Sequence, residues 1–386
     1  MYRAALVRQR YLLLLVASFL FALLLSDSDI DAIDHNFSSS YEESNADSYS
    51  LYPSLPPGKL SFTNGSIDAV VTFVNGSDPI WLKQRADTLS RLGLPLPESF
   101  QFRSNNELVY CLRSIWRNVP QLRHVFLILS GPSQVPSWLN HSNPYLTIVY
   151  HHEFFPHFAV LPTFNSYSIE SNLWRIPYLS NTFIYLNDDF FISSPFPNNF
   201  IRDSDGYFQV HLDTTTLNRP INQYRRGLLN GGRFLSRRFP LPFRSSTLTW
   251  YPLSHSVYAC NKDILEETSR VFSKAYRIIN QNPFRTHSGL PHFLFLAGHY
   301  YVQRSLETSS RQYKARYHQC SSNEVVYWNW SNSELEVNAH YFDLIKTFRP
   351  LSFCINDDED VRDPSMQKYF LESMEELFPI KSDWEL

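Results

Sequence analysis

Two adjacent carboxylates stand directly after an apolar run in the middle of the chain. Phe183 to Leu186 is a short β-favouring segment, and Asn187, Asp188 and Asp189 follow it without a break. Like charges this close raise each other's pKa unless a cation lies between them, so the pair favours a divalent metal ion with oxygen ligands. An acidic pair in this position can also be an ordinary turn or the N-cap of the next element, and this stretch alone does not decide between the two interpretations.

A further carboxylate and a cation lie just upstream of that strand. Glu170 and Arg175 fall within an amphipathic segment, Ser168 to Arg175. Its apolar stripe has helical spacing and consists of Ile169, Leu173 and Ile176. We therefore expect a helix that brings Glu170 and Arg175 to the same crevice as the acidic pair.

The composition is that of a structured protein without the charge pattern of a nucleic-acid binder. The chain has 386 residues, of which 43% are hydrophobic, enough for one large domain or two modest ones. Its 34 basic and 37 acidic residues give a formal net charge of −3. Nucleic-acid binding requires a basic surface, so we expect no nucleic-acid partner.

The first 61 residues predict a membrane anchor and a stem. Arg3, Arg8 and Arg10 precede an apolar stretch, Tyr11 to Leu25, that is shorter than the roughly 20 residues of a full span. We favour an uncleaved signal-anchor in residues 1–25 with its positive end in the cytosol, and a cleaved signal peptide is the alternative. Residues 26–61 are rich in Ser, Asp, Asn and Pro and predict a disordered stem before the folded residues 62–386.

Either topology places the folded part in the lumen of the secretory pathway, as a single-pass type II protein of the Golgi or another membrane if the anchor is retained. Glycosylation sequons agree with this compartment and occur at Asn36, Asn64, Asn75, Asn140 and Asn329. The chain has four cysteines, Cys111, Cys260, Cys320 and Cys354. They permit two disulfides in three connectivities, and their spacing is too wide for a zinc motif. A buried thiol is an equal alternative for Cys111, which falls on the apolar face of a predicted helix.

The first buried strand ends in a polar loop. Ala69 to Val74 is a nearly continuous apolar run, which predicts a strand covered on both faces, and Asn75, Gly76 and Asp78 follow it. Open α/β sheets bind ligands in loops at the carboxyl ends of strands, and a glycine there lets the backbone approach a ligand closely. The alternative is a turn into a helix that Asp78 caps and Pro79 begins.

The next segments alternate between helix and strand. Asn105 to Asn118 has apolar residues at helical spacing, whereas Val125 to Leu129 and Leu146 to Tyr150 are short apolar runs. Elements in this order favour right-handed βαβ crossovers. The sequence therefore predicts the α/β class with a mainly parallel sheet.

Several segments resemble a known family. The most specific are LPTFNSYSIESNLWRI and FIYLNDDFF, and the others are IDAVVTFVNGSDP, FRSNNELVYCLRSIWRNVPQLRHVFLILSGPSQVPSWLN, HSVYACNKDILEE, NPFRTHSGLPHFLFLAGHYY, SFCINDDED and LFPIKSDWEL. Together they are similar to the four conserved regions of the Stealth family over about residues 67 to 386. That family contains hexose-1-phosphate transferases of bacterial capsule synthesis and the catalytic subunit of the animal N-acetylglucosamine-1-phosphotransferase.

The resemblance implies a Rossmann-like nucleotide-sugar transferase core with helical C-terminal additions, forming one phosphotransferase domain over residues 62–386. The reaction would move a sugar 1-phosphate, by precedent N-acetylhexosamine 1-phosphate from a UDP-linked donor, to a hydroxyl of a glycan or glycolipid and release nucleoside monophosphate. This chemistry needs a cation at the diphosphate, positive side chains at its oxygens and a base near the attacking hydroxyl.

The resemblance also implies roles for individual residues. Asp188 and Asp189 would hold a divalent cation, Mg²⁺ or Mn²⁺, or act directly at the diphosphate, with Glu170 supporting them. Arg285 would clamp a phosphate, and His287 could take a proton near neutral pH. The remaining candidates would contact the substrate: Asn75, Gly76, Asp78, Asn165, Arg175, Asn187, Asn356 and Asp68. Asp68 ranks lowest, because its strand places it at the opposite end from the polar loop.

Two other functions fit parts of the sequence. A metal-dependent glycosyltransferase also combines an α/β nucleotide-sugar domain with an acidic loop, but it releases a nucleoside diphosphate. A non-catalytic lumenal carbohydrate-binding protein could use the 8 Trp and 23 Tyr as stacking surfaces. Such a binding site has no need of Glu170, the acidic pair, Arg285 and His287 together. The sequence leaves homo-oligomerisation open.

Overall fold

The computed structural model describes residues 66–95, 102–213, 222–239, 250–307, 313–357 and 363–386. The predicted anchor in residues 1–25 and the predicted stem in residues 26–61 lie outside these ranges. Within them, no helix combines the length and apolar character needed to cross a bilayer.

A five-stranded sheet forms the centre of the fold. Its strands are β1 (Ile67–Thr72), β2 (Leu122–Leu129), β3 (Leu146–Tyr150), β4 (Thr182–Asn187) and β7 (Tyr258–Asn261), in the spatial order β3-β2-β1-β4-β7. The first four pair in parallel, and β7 runs antiparallel to β4 at the edge. Parallel strands covered on both faces account for the continuous apolar runs of the sequence. The predicted α/β class with a mainly parallel sheet is confirmed.

The strand order creates a switch point between β1 and β4. From β1 the chain proceeds outward through β2 to β3 and then returns to the other side of β1 to form β4. Thr72 and Asn187, the last residues of these two neighbours, are register partners. Open α/β sheets bind ligands in the crevice beyond the carboxyl ends of strands at such a point. The loops that follow β1 and β4 are therefore where a site is expected.

The other strands form two smaller sheets: β5 (Phe190–Ile192), β9 (Val325–Asn329) and β10 (Ser352–Asn356) in one, and β6 (Phe208–Leu212) and β8 (Ala315–Gln319) in the other. In the three-stranded sheet β10 is central, antiparallel to β5 and parallel to β9, whereas β6 and β8 are parallel. Only Asp188 and Asp189 separate β4 from β5. The acidic pair thus lies where the chain passes from one sheet to the next.

The α-helices of the described residues are α1 (Pro79–Arg91), α2 (Glu107–Asn118), α3 (His151–Phe154), α4 (Ser166–Asn172), α5 (Gln223–Arg238), α6 (Lys262–Val271), α7 (Ser273–Gln281), α8 (Phe293–Glu307), α9 (Leu335–Phe348) and α10 (Pro364–Leu377). The helix predicted from residue 105 to 118 is α2, and its predicted apolar face is buried. The amphipathic segment predicted from residue 168 is α4 followed by a 3₁₀ turn, Leu173–Arg175. Leu173 and Ile176 of its stripe are buried, and Ile169 is half-buried.

Arg113 on α2 binds helix α10 and the residues that follow it. Its guanidinium donates to the two carboxylate oxygens of Glu385 at 3.0 and 2.9 Å and to Glu375 at 2.8 Å. Arg113 is buried, and a buried guanidinium is stable only when such partners satisfy it. The residues after α10 therefore pack beside the helix that begins at the candidate site.

All four cysteines lie in the described residues and are free thiols. Cys111, Cys260 and Cys354 are buried in the hydrophobic core, and Cys320 is half-buried. The two disulfides that the sequence permits are therefore not formed. The alternative of a buried thiol at Cys111 is confirmed, because this side chain packs on the core-facing side of α2.

Candidate active site

The turn between β4 and β5 places the acidic pair at the switch point. Asp188 and Asp189 are partly exposed as residues, but Oδ1 of Asp189 is a buried atom with no hydrogen-bond partner among the described residues. Its Oδ2 accepts from the thiol of Cys354 at 3.5 Å, and its backbone carbonyl accepts from the N–H of Ile355 at 3.2 Å. Strand β10 therefore holds the acidic turn in place.

Glu107, the first residue of α2, adds a third carboxylate that sequence reasoning missed. The side chain is buried and accepts from the backbone N–H of Asn105 at 2.5 Å and from the hydroxyl of Ser104 at 3.1 Å. The S-x-x-E spacing of Ser104 and Glu107 ahead of an apolar run was the available signal, because it is typical of a helix start. Its closeness to the acidic pair depends on the packing of α2 against the sheet.

Burial and the nearby charge of Glu107 shift the titration of both aspartates. Burial and the charges of Asp189 and Glu107 raise the pKa of Asp188 well above its usual value. Burial and Glu107 raise the pKa of Asp189 to about 7, although Arg285 opposes this. Burial also raises the pKa of Glu107. Carboxylates with raised pKa values are stabilised by a bound proton or a nearby cation. Mg²⁺ and Mn²⁺ prefer oxygen ligands of this kind. The unpartnered Oδ1 of Asp189 fits such a cation.

Glu170 lies on the buried side of α4 beside a second missed residue, His292. Its Oε2 has no hydrogen-bond partner among the described residues and lies 3.6 Å from Nε2 of His292. Nδ1 of that histidine accepts the backbone N–H of Phe295 at 3.2 Å, so the ring proton is on Nε2 and faces Glu170. Burial raises the pKa of Glu170 to about 8, against the opposing charge of Arg285. Burial, with a contribution from Arg285, lowers the pKa of His292 to about 3, so this imidazole is neutral.

Arg285 is the cation shared by these carboxylates. It is exposed, donates from Nη2 to the hydroxyl of Ser166 at 2.6 Å, and lies over the ring of Tyr167 at 4.8 Å. Its positive charge opposes the burial that raises the pKa of Glu170 and of Asp189. The structure therefore brings together Asp188, Asp189, Glu170 and Arg285 of the predicted catalytic residues.

His287, the predicted proton acceptor, is tied to the protein through its backbone. It is exposed, and its backbone carbonyl accepts from Nη1 of Arg226 at 2.8 Å. The buried imidazole next to Glu170 is that of His292 instead. A catalytic role of His287 stays a prediction.

The polar residues after β1 hold their own loop together. Asp78 caps α1, which begins at Pro79, and its Oδ2 accepts from Ser133 at 2.6 Å and from Nε2 of Gln134 at 2.7 Å. The N–H of Asn75 donates to Oε1 of Gln134 at 2.6 Å. The helix-cap alternative for Asp78 is therefore confirmed, and these contacts fix the loop at the rim of the crevice.

Gly76 permits a close approach, but the partner is protein backbone. A Cβ at this position would overlap the carbonyl oxygen of Phe102, and the N–H of Gly76 donates to the same oxygen at 3.1 Å. The space predicted for a ligand is thus filled by Phe102. Gly76 ties the β1 loop to the segment that leads into Glu107.

Three further predicted substrate contacts also have structural partners. Oδ1 of Asn187 accepts from the hydroxyls of Tyr185 at 2.7 Å and Thr72 at 3.3 Å. The second bond links the carboxyl ends of β1 and β4. Asn165 is the buried N-cap of α4. Arg175 donates to the carbonyl of Phe154 at 3.0 Å.

The last two candidates lie at opposite ends of their strands. Asp68 is buried near the amino end of β1, paired with Arg123, so its low rank agrees with its position away from the crevice. Asn356 ends β10 and donates to Asn329 at 3.3 Å. The next residue, Asp357, lies 3.3 Å from Nε of Arg103.

Glu170→Gln is expected to make stability less dependent on pH. The pKa of this buried carboxyl is about 8 in the folded protein against 4.5 ordinarily, so the folded state binds a proton that the unfolded chain releases between these values. The wild type should lose stability as the pH rises through this window, by on the order of a few kcal/mol. Glutamine keeps the shape without the charge and avoids that loss.

Melting temperatures at about pH 5, 7 and 9 check this, with the exposed Glu372→Gln as the matched control. The advantage of Glu170→Gln over the wild type should grow with pH. A difference that is the same at all three pH values would contradict the raised pKa.

Comparison with known proteins identifies one conserved family region and several relatives. Residues 101–209 match the family model for Stealth protein CR2, conserved region 2. An exopolysaccharide phosphotransferase of Streptomyces coelicolor is 36% identical over 239 residues, which cover 61% of this chain and 40% of that protein. The capsular polysaccharide phosphotransferase fcs1 of Haemophilus influenzae is 28% identical over 326 residues, 79% of this chain and 81% of that one. For the capsular polysaccharide phosphotransferase SacB of Neisseria meningitidis serogroup A, 28% identity extends over 83% of this chain and 57% of that one.

Among solved structures, the galactosyltransferase LgtC aligns with a TM-score of 0.38 and 10% identity over 82% of this chain and 99% of that chain. The bifunctional glycosyltransferase WbbM aligns with a TM-score of 0.39 and 10% identity over 84% of this chain and 51% of that chain. The acidic turn, Asp188 and Asp189, lies within residues 101–209, which the family model matches. The chain therefore contains conserved region 2 of the Stealth family in residues 101–209 and is similar to bacterial polysaccharide phosphotransferases.

Proposed function

We propose that this protein transfers a sugar 1-phosphate from a nucleotide sugar to a hydroxyl of a glycan and releases nucleoside monophosphate. The observation that carries the proposal is the convergence of Asp188, Asp189 and Glu107 with Arg285 at the carboxyl edge of β1 and β4. The names of the bacterial relatives support the same reaction class, although this chain spans between 40% and 81% of their lengths.

The charge of the crevice supports a cation cofactor. A nucleotide sugar carries a negative diphosphate, which an uncompensated cluster of carboxylates would repel. Asp188 and Asp189 would hold the cation, since their raised pKa values and the unpartnered Oδ1 of Asp189 fit a hard divalent ion. When bound, Mg²⁺ or Mn²⁺ supplies neutralisation of the diphosphate and polarisation of the bond that breaks.

Arg285 would bind the nonbridging oxygens of the transferred phosphate. Its side chain is exposed beside the acidic turn and is anchored on Ser166 at the start of α4. With a pKa of about 8, Glu170 is mostly protonated at neutral pH. It therefore leaves the charge of Arg285 available for the substrate, which a guanidinium can hold with two parallel hydrogen bonds.

In the proposed reaction, an acceptor hydroxyl oxygen forms a bond to the phosphorus next to the sugar, and the bond from that phosphorus to the nucleoside monophosphate breaks. The hydroxyl proton must pass to a base. His287, which is exposed two residues beyond Arg285, is the proposed acceptor. Attack at the anomeric carbon would break a different bond and leave a nucleoside diphosphate.

The test is incubation of the purified protein with a panel of nucleotide sugars, capsule-type or N-glycan acceptors, and Mg²⁺ or Mn²⁺, followed by chromatography of the nucleotides. We expect nucleoside monophosphate in amounts equal to the sugar phosphate transferred, and none after chelation. Release of nucleoside diphosphate would support a glycosyltransferase instead. Tight glycan binding without turnover of any donor would support a carbohydrate-binding protein.

A further inference from the structure

Three soft ligands lie together on the two-stranded sheet of β6 and β8. His211 and His318 are register partners on the parallel strands, with ring centroids 5.0 Å apart. Cys320 follows β8 directly. The sulfur and one nitrogen of each ring all lie within 4.8 Å of one another. The proposed transfer reaction uses none of these side chains.

The ring of His211 is oriented with a lone pair towards the thiol. Its Nε2 lies 2.9 Å from the carbonyl oxygen of Phe200. A carbonyl can only accept, so Nε2 carries the proton and Nδ1 has the lone pair. Nδ1 lies 3.7 Å from the sulfur of Cys320. Two such ligands of a tetrahedral zinc ion lie about 3.5 Å apart, given bonds of about 2.0 and 2.3 Å.

The ring of His318 is fixed in the same way by a carboxylate. Its Nε2 lies 2.8 Å from Oε1 of Glu324. The same carboxylate also accepts from the backbone N–H and the hydroxyl of Ser321 at 2.8 and 2.9 Å, and a carboxylate oxygen accepts a hydrogen bond from a ring N–H. The proton of His318 is therefore on Nε2, and Nδ1 is left as the donor atom. A carbonyl or carboxylate on the outer nitrogen is the usual support of a metal-bound histidine.

We propose that His211, His318 and Cys320 form a Zn²⁺ site that ties β6 to β8. Two imidazoles and a thiolate suit zinc, whereas Mg²⁺ and Mn²⁺ prefer oxygen donors. On binding, a zinc–sulfur bond replaces the S–H bond and the proton passes to the buffer. Three protein ligands leave one tetrahedral position for water.

The backbone around the three ligands is already fixed. The N–H of Cys320 donates to the carbonyl of Leu212 at 3.1 Å, and the N–H of Ser254 donates to the carbonyl of His211 at 2.9 Å. Cys320 and His211 are 109 residues apart in the sequence. A zinc ion would therefore cross-link distant parts of the chain and is expected to stabilise the folded state by mass action.

The first test measures zinc on the full-length protein. Protein freed of metal by a chelator under reducing conditions is incubated with Zn²⁺, desalted and analysed by atomic emission. We expect one zinc ion per chain, and binding weaker by about tenfold or more in Cys320→Ser and His318→Gln. The matched controls Cys260→Ala and the exposed His340→Gln should bind as the wild type does.

Two further measurements need no variant. Co²⁺ should give the near-ultraviolet charge-transfer band of a cobalt–thiolate bond. A thiol reagent should modify Cys320 in the metal-free protein, because the other three cysteines are buried, and zinc should block that reaction. Thermal melts should show a rise of a few degrees with zinc in the wild type only.

Several results would overturn the proposal. One is a folded wild type that retains no zinc and gives no cobalt–thiolate band. Another is zinc that survives Cys320→Ser and disappears with Asp189→Asn, since the ion would then lie at the acidic turn. If Cys320→Ser does not fold, the cobalt spectrum and the thiol protection of the wild type still decide the outcome.

Discussion

Asp189→Asn is expected to lower kcat/KM for sugar-phosphate transfer by about a thousandfold or more, and Asp188→Asn by a similar factor. Each change removes a charge from the pair that would hold the cation, and Asp189 also provides the buried Oδ1 that has no protein partner among the described residues. Initial rates of nucleoside monophosphate release over a range of donor and cation concentrations measure the loss. Excess cation should recover part of it if the main defect is cation binding.

Folding is the control for this prediction. Both variants relieve repulsion between buried carboxylates, so their melting temperatures should equal or exceed that of the wild type. Asp263→Asn, an exposed aspartate on α6, is the matched substitution and should retain full activity. If both acidic-turn variants are as active as Asp263→Asn with a donor that works, the site is wrongly assigned.

Arg285→Ala is expected to reduce kcat about a hundredfold or more, because the guanidinium would stabilise charge on the transferred phosphate. Arg285→Lys should restore only part of the rate, since an ammonium cannot make the paired hydrogen bonds of a guanidinium. The comparison of kcat with KM separates a role in the transition state from simple binding of the donor.

Arg277→Ala is the matched control for Arg285. It is also an exposed arginine over an aromatic ring, with its guanidinium 5.4 Å from the ring centre of Phe158. Its activity should stay near that of the wild type. Equal rates for Arg285→Ala and Arg277→Ala would remove Arg285 from the site.

The elements that position the site were predictable, because long apolar runs and helical periodicity are local signals. The strand before Asp188, the helix with Glu170 and the strand before Asn75 all form as expected. Glu107 and His292 were missed for a common physical reason. Glu107 lies near Asp188, and His292 near Glu170, only because segments that are distant in the sequence pack together. Neither local segment contains a signal for that contact.

Where local sequence offered two interpretations, packing decided between them. Gly76 has the appearance of a ligand-binding glycine, but a carbonyl from the segment before α2 fills the space beside it. Asp78 has the sequence context of a helix cap and is one. Nothing in the sequence around the four cysteines indicated that three are buried free thiols and that Cys320 lies beside two histidines.

The most direct test of the central claim follows the phosphorus atom next to the sugar. A nucleotide sugar labelled with ³²P at that position is incubated with the protein, cation and acceptor, and the products are separated. Transfer of sugar 1-phosphate predicts that the label appears in the acceptor and is absent from the released nucleotide. Label retained in a nucleoside diphosphate, with unlabelled sugar on the acceptor, would contradict the account.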